Sequence, residues 1–553
     1  MQLVTTGAFV RAARAAKVAL ASRATASASR WKSSQAQAQA QAQAVPDEQP
    51  FPEQSVDVSK EVDPAKTAAT SSSHARHSEF ERRLKESRKE NTIIHDNGRS
   101  GAKILGAPYI FDETSNLSSS ILGLVGRNLY EQPDHPIAIT RKLIESCFEE
   151  PTFNHFAMNN PVVTVTDNFD TLGFPKDHPG RSRTDTYYVN STHLLRTHTS
   201  AHEHNAFQWL AHNTSSKGYT ICADVYRRDS IDRSHFPVFH QMEGARVWEP
   251  QEDRAAVIQR DCNDMPKTDL LVEDQATDFS TDANPLQPEH NPEEVHLVAR
   301  HLKRSLEQVI QRIFQASQAS LPSAARSDAP MQARWIEAYF PFTSPSFELE
   351  VDWNGEWLEL LGCGVTKQSI LENAGLTNHI GWAWGVGIER FAMLLFGIPD
   401  IRLFWSTDPR FLKQFTRGKI TKFEPFSKYP ACYKDIAFWI NATPSGSSLV
   451  GHPSASGVAA AAGGDATKAS PTETQPAAFH ENDIMEVVRD VAGSLVEDVK
   501  LVDEFVHPTS GRKSLCYRIN YRSLERTLTN DEVNGLHDEV GQRMKGLFGV
   551  ELR

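Results

Sequence analysis

A chain of 553 residues with 39% hydrophobic and 23% charged content has room for roughly two to four domains and the apolar fraction of an ordinary globular protein. Its formal net charge of −12 is not that of a nucleic-acid binder, so any RNA contact must rest on local patches. No apolar run approaches the roughly 18 to 20 uncharged residues that a bilayer crossing requires, and six scattered cysteines without a C-x-x-C pair argue against a disulfide scaffold or a structural zinc site.

Residues 1–46 carry Arg11, Arg14, Lys17, Arg23, Arg30 and Lys32 and no Asp or Glu, amid many Ala and Ser. That is the profile of a mitochondrial targeting peptide; a disordered basic tail is the plainer alternative. Gln35–Ala44 is a Gln-Ala repeat and the polar, Pro/Ser-rich stretch after Pro46 continues to about His74, so disorder is expected through that point; residues 47–116 as a whole are assigned as a disordered or N-terminal extension, with helical character at Glu79–Glu90. The first globular domain is expected over 117–422, with amphipathic segments at Ile121–Leu129 and Ile137–Phe148. Within it, 251–294 is acidic and broken by prolines, and is expected to be an insertion outside the core. A helix follows from Glu294, with Val298, Leu302, Leu306, Val309 and Ile313 on one face. Residues 423–553 read as a second domain interrupted by a low-complexity loop, 443–478. Its elements are a strand at Asp435–Ile440, a helical stripe from Ile484 to Leu495, a strand alternating through Leu515, Tyr517, Ile519 and Tyr521, and a helix that Thr529 and Glu532 would open as a capping box. Strand-helix-strand-strand-helix-strand is the ferredoxin-like order.

Two segments carry chemistry. Gly381–Trp405, GWAWGVGIERFAMLLFGIPDIRLFW, sets Arg390 between glycines, which let backbone approach a flat ligand, and an apolar helix from Ile388. Asp224–Gly244, DVYRRDSIDRSHFPVFHQMEG, reads as a strand carrying an arginine, a polar loop, and a second strand ending in Gln241 and Glu243. Together they resemble motifs 3 and 2 of class II aminoacyl-tRNA synthetases. RTHTSAHEH (Arg196–His204), YFPFTSPSFELEV (Tyr339–Val351) and WLELLGCGVTKQSIL (Trp357–Leu371) narrow the likeness. They resemble the phenylalanyl-tRNA synthetases, in their single-chain mitochondrial, fungal-like form, from about Asn154 to Arg553.

The resemblance implies an α+β protein: a class II antiparallel sheet flanked by helices, then a C-terminal ferredoxin-like anticodon-binding domain. It implies a phenylalanine–tRNA ligase of the mitochondrial matrix that uses ATP and Mg²⁺, acts on L-phenylalanine and tRNA(Phe), and works as a monomer. Arg227 would bridge the amino-acid carboxylate and the α-phosphate, and Arg390 would hold the γ-phosphate; these are the candidate catalytic residues. The ATP site would add Ser234, His235, Phe236, Phe239, Glu359, Leu360, Leu361 and Gly387, with Phe239 on the adenine. Gly362 and Gly364 would bring backbone to the nucleotide. The phenylalanine site would comprise His198, Ser200, Ala201, His202, Glu203, Gln241 and Glu243, the aromatic walls Phe340 and Phe342, and a floor of Ala383 and Trp384. Many relatives carry Gln at the position of Glu203, which could meet the substrate ammonium, meet Arg227, or face solvent. Arg512, Lys513, Arg518, Arg522 and Arg526, opposed within their stretch only by Glu525, are the candidate tRNA contacts, with a solvated sheet face as the alternative. Residues binding a metal are unassigned, and His202, His204, His235 and His240 lack zinc-site spacing. Two rival functions stay open: a silent RNA-binding paralogue, and a class II synthetase for another amino acid.

Overall fold

In this computed structural model the described residues are 89–96, 99–276, 284–323, 329–353, 355–426, 429–440 and 479–553. The targeting peptide, the Gln-Ala repeat, the helical stretch 79–88 and the loop 443–478 fall outside them.

The described chain opens with a small antiparallel meander, β1 (Thr92–Asp96), β2 (Arg99–Ile104) and β3 (Ala107–Ile110). The N-terminal extension thus contains folded strands before the expected domain start at 117. Ala102 and Ile104, two residues apart on β2, are buried in the main core.

The main sheet has eight strands: β4 (Phe153–Ala157), β7 (Gly218–Tyr226), β8 (Val238–Trp248), β9 (Leu271–Asp274), β10 (Gln332–Ala338), β11 (Thr343–Trp353), β12 (Glu356–Thr366) and β13 (Ile380–Gly387). A separate pair is formed by β5 (Val162–Thr164) and β6 (His193–Leu195). The order across the large sheet is β4-β7-β8-β13-β12-β11-β10-β9. Its six inner strands are antiparallel as expected, but β4 and β9 join the edges in parallel, so the sheet is mixed.

One face of the sheet is packed with helices: α1 (Pro136–Glu145), α4 (Pro292–Ala319) and α5 (Ile388–Phe396), while α2 (Glu203–His212) and α3 (Arg254–Asp264) lie between them in sequence. The long α4 is capped by Asn291, which accepts from Glu293 N at 2.9 Å, with Pro292 in its first turn. Val295, Val298, Leu302, Leu306, Val309 and Ile313 form its buried stripe.

Of the acidic segment, the described residues 251–276 and 284–294 build into this core. Ile258 and Cys262 of α3 are fully buried, Arg254 pairs with Glu294 at 2.6 Å, and Lys303 of α4 holds Asp274 of β9 at 2.7 Å. A few well-placed apolar residues suffice to seat a segment whose composition is otherwise polar. The first domain also extends past 422, since Phe423 packs on Phe411 at 5.9 Å and its N–H reaches Phe396 O at 2.7 Å.

The second unit contains β14 (Cys432–Trp439), α6 (Glu481–Ala492), β15 (Val496–Val506), β16 (Lys513–Tyr521), α7 (Asn530–Phe548) and β17 (Glu551–Leu552), with strand order β15-β16-β14-β17. That is the ferredoxin-like arrangement. Leu515, Tyr517, Ile519 and Tyr521 are buried under the two helices, as the alternation requires. Only half of the expected capping box forms: Thr529 accepts from Glu532 N at 3.2 Å, while the Glu532 carboxylate is taken by Arg526. The reciprocal side-chain contact to the cap backbone occurs instead at α6, where His480 N donates to Asp483 Oδ2 at 2.9 Å.

The two units are joined by buried polar contacts. Arg402, 4% exposed, pairs with Asp400 at 2.7 Å and donates to Val496 O at 2.8 Å. Arg233 pairs with Glu497 at 2.6 Å, and Tyr187 donates its hydroxyl to Glu486 at 2.8 Å.

Candidate functional site

A cleft of about 790 Å³ opens on the sheet face away from α4, and it gathers nearly every site residue expected from sequence. Pairing explains how. Across β8 and β13, Glu243 stands opposite Gly385 and Gln241 opposite Gly387, so two polar side chains face two glycines. A Cβ at Gly385 or Gly387 would meet nothing within 4 Å, so these are the places where backbone is laid bare to a ligand. Gly362, which also borders the cleft, and Gly364 make room for the protein's own packing. A Cβ on Gly362 would lie 2.5 Å from the Phe340 ring, and one on Gly364 would lie 2.5 Å from Pro345 O.

The opposite face of the same strands is locked. His240, fully buried, contacts Glu389 through its ring at 2.6 Å and through its N–H at 2.9 Å, joining β8 to the first turn of α5. With Glu389 held from behind, Arg390 projects into the cleft. It is half-exposed, donates to Glu359 O at 2.8 Å, and stands 3.7 Å from the Glu359 carboxylate. Trp384 also lies behind the sheet, its ring 5.1 Å from Phe148 and closing the space over Gly244, so it supports the floor while Ala383 faces the cleft.

Arg227 leaves the end of β7, donates from Nε to Thr197 O at 2.7 Å, and lies 5.2 Å from the Phe239 ring centroid. It forms no ion pair within 4 Å among the described residues, and burial lowers the pKa of its guanidinium from the ordinary value. Asp232 shapes the loop beyond, accepting from Ser234 N at 2.7 Å, His235 N at 2.9 Å and the His235 ring at 2.7 Å. That pairing holds Asp232 well below the usual carboxylate range and raises His235. Ser234, His235, Phe236, Phe239, Leu360 and Leu361 all border the cleft.

The other end of the cleft is aromatic and acidic. Phe340 and Phe342 stack with centroids 5.9 Å apart, Phe174 lies 6.2 Å from Phe342, and the His198 ring stacks on Phe174 at 5.6 Å. Glu243 accepts from Thr199 Oγ1 at 2.9 Å and Ser200 Oγ at 2.8 Å, while Gln241 Oε1 accepts from Thr199 N at 3.3 Å. Glu203 does not face solvent. It is 2% exposed, feels the Glu243 charge, and has one carboxylate oxygen without a hydrogen-bond partner, as Glu243 also does. Burial raises Glu243 to about 7 against the hydrogen bonds from Ser200 and Thr199. Burial, then the neighbouring Glu243, pushes Glu203 well above its ordinary value. Burial and nearby Arg227 lower His198 to about 3, so this imidazole stays neutral.

Chemically, the cleft offers two guanidiniums at one end, bare glycine backbone along its floor, and at the other end buried carboxyl groups without a cation beside a slot walled by phenylalanines. Residues 122–251 and 296–415 match the family model of the tRNA synthetases class II core domain (F), and residues 474–553 match the ferredoxin-fold anticodon binding domain. The mitochondrial phenylalanine–tRNA ligase of Saccharomyces cerevisiae is 45% identical over 82% of this chain and 95% of its own length. The chain belongs to the mitochondrial phenylalanine–tRNA ligase family. The mouse mitochondrial enzyme is 40% identical over 82% of this chain and 88% of its own, and an Arabidopsis thaliana chloroplastic/mitochondrial enzyme is 39% identical over 80% and 83%.

Not every residue carried over from the ligase family reaches the cleft. Ala201 is buried in a small cluster with Phe169 and Leu194, and the His202 ring contacts Arg196 at 3.0 Å behind the site. Both are excluded because the 3₁₀ turn Thr199–His202 points Thr199 and Ser200 inward. Conversely, Phe169, Phe174, His178, Thr197, Thr199, Tyr219 and Arg228 line it without having been singled out. The one signal for Phe174 was the pair of Phe residues around Gly173, whose φ of 74° marks a turn.

The five expected tRNA contacts are each paired with a carboxylate. Arg512 holds Glu551 at 2.8 Å, Lys513 holds Glu504 at 2.9 Å, Arg518 holds Asp435 through two 2.7 Å bonds, Arg522 holds Glu497 at 3.2 Å, and Arg526 holds Glu532. The stretch is therefore opposed by far more than Glu525. Arg522 also donates to Tyr429 O at 2.8 Å and belongs to the junction between the units.

Proposed function

We propose that this family member activates L-phenylalanine with ATP and transfers it to the 3′-terminal adenosine of mitochondrial tRNA(Phe), acting as a monomer in the matrix. The observation that carries the reading is the opposition, across one glycine-floored cleft, of Arg227 and Arg390 to the partnerless oxygens of Glu203 and Glu243. An amino acid laid between them has its ammonium on the carboxyl groups, its ring between Phe340, Phe342 and Phe174, and its carboxylate turned toward Arg227.

The carboxylate oxygen attacks the α-phosphorus of ATP and pyrophosphate leaves. Arg227 holds carboxylate and α-phosphate together, and Arg390 draws the γ-phosphate away, giving the in-line geometry by electrostatics alone. The adenine lies against Phe239. Glu359, at the edge of the cleft, would be the carboxylate to hold a magnesium ion together with ATP oxygens, and the ion would neutralise charge on the phosphates. In the second half-reaction a ribose hydroxyl of the terminal adenosine attacks the acyl carbon and AMP leaves. Acid-precipitable phenylalanine on tRNA(Phe), released by mild alkali as expected for an ester, tests the reading; no ester on tRNA(Phe) sinks it. The matrix address agrees with residues 1–46, and the monomer with a tRNA-binding unit in the same chain; sedimentation as a dimer would refute the latter.

The acid pair has a consequence for pH. A cationic ammonium favours the ionised carboxylate, so below about pH 7 phenylalanine must displace a proton from Glu243. Its affinity is expected to rise by up to about tenfold per pH unit between pH 5.5 and 7, then level off. For the empty protein the sign is reversed: a raised carboxyl pKa contributes stability below the unfolded value, lost as pH rises toward about 7. Calorimetric titration in buffers of different ionisation enthalpy would show proton release on binding. A pH-independent affinity with no proton release would contradict the assignment.

A further inference from the structure

On the ferredoxin-like sheet, alternation sends Ile436 and Phe438 of β14 into the core and leaves Tyr433, Asp435, Ala437 and Trp439 on the face opposite the helices. At the end of this face away from the first unit, Trp439 lies 6.1 Å from Phe505 and 6.0 Å from His507, and the guanidiniums of Arg512 and Arg553 lie 5.4 and 5.2 Å from its centroid. Phe505, on the long edge strand β15, is 42% exposed, and Val506 beside it is 54% exposed. Among the described residues no helix covers these rings, and β15 pairs on one side only.

We propose that Trp439, Phe505 and His507, with Arg512 and Arg553 laid on Trp439, form the platform on which unpaired bases of the tRNA stack. The inference rests on the synthetase reading and moves the RNA contact from the strand of Arg518 and Arg522 to this corner. Aromatic rings and guanidinium planes are the side chains that take splayed bases, and every base has a face to offer them. Charge agrees with RNA: among the described residues the ion pair of Arg512 is a half-exposed contact to Glu551, and a surface pair of this kind is easily exchanged for a phosphate. Arg522, held in the junction, is not.

The test uses the full chain. Phe505→Leu keeps an apolar side chain at a half-exposed position and removes the ring; Phe505→Tyr keeps the ring. Loss of one base stack is expected to weaken tRNA binding by about tenfold in Phe505→Leu, and further in a double variant with Trp439→Leu. Phe505→Tyr is expected to bind as wild type, and phenylalanine-dependent pyrophosphate exchange is expected to be unchanged in all three. The same tRNA with abasic anticodon-loop nucleotides should bind wild type and Phe505→Leu alike. Equal affinity of wild type and the double variant for intact tRNA, with exchange preserved, would overturn the platform; absence of exchange in the wild type would overturn the synthetase reading instead. A dimer of wild type that Phe505→Leu dissolves would assign the face to a second copy and also overturn it.

Discussion

Arg390→Ala is expected to lower phenylalanine-dependent pyrophosphate exchange by about 10²- to 10³-fold, the usual cost of deleting one preorganised charge at a reacting phosphate. The geometry makes this a clean substitution. Arg390 is 45% exposed along its side chain, and its hydrogen bond is to a carbonyl, Glu359 O. The buried work of its helix is done by Ile388, Phe391, Leu395 and by Glu389 against His240. Thermal unfolding should therefore scarcely move. Arg390→Lys should recover only part of the rate, because an ammonium restores charge without the two-pronged donor geometry. Exchange in a folded Arg390→Ala protein at the wild-type rate would remove the γ-phosphate role.

Arg196→Met is expected to act on the fold and only then on the chemistry, lowering unfolding free energy by about 3 to 5 kcal/mol. Arg196 is completely buried and pairs with Asp224, itself 1% exposed. Its remaining donors reach Met158 O, Asn160 O and Asp224 O, each at 2.6 Å. Removing it leaves a buried carboxylate without its cation and takes a donor from each of three carbonyls, of which Met158 O keeps the Tyr130 hydroxyl at 3.1 Å. The segment that follows, with His198, Thr199 and Ser200, then loses the Arg196 side-chain tie to β7 and keeps backbone anchors such as Tyr226 N to Arg196 O at 2.9 Å. Pairing Arg196→Met with Asp224→Asn should recover much of the loss, because the uncompensated charge is gone. Denaturant unfolding of the single and double variants measures both; a single variant within about 1 kcal/mol of wild type would show that the buried pair is not what holds this segment.

What sequence could show here follows from distance along the chain. The strand-loop-strand of β7 and β8 and the glycines before Arg390 are local patterns, and they put Gln241, Glu243 and Arg390 in one cleft. The partners that define their roles are remote: Glu389 is 149 residues from His240, and Asp435 is 83 residues from Arg518. A run of basic residues consequently looked opposed only by Glu525, although strand pairing brings Asp435 to Arg518 and Glu504 to Lys513. The meander at 92–110 was missed for a different reason. Its strands are only four to six residues long, too short for a period to stand out. Glycines were ambiguous for want of a neighbour: nothing in G-C-G tells that Gly362 makes room for Phe340, whereas the openness of Gly385 and Gly387 appears only once β8 and β12 flank β13.

ATP–pyrophosphate exchange, run with each of the twenty amino acids in turn, is the most direct test of the central claim, because it reads the first chemical step without requiring tRNA. A cleft with carboxyl groups for an ammonium, phenylalanine walls for a ring and two arginines for the phosphates should exchange with phenylalanine far faster than with any other amino acid. No exchange with phenylalanine, or faster exchange with an amino acid lacking an aromatic ring, would contradict it.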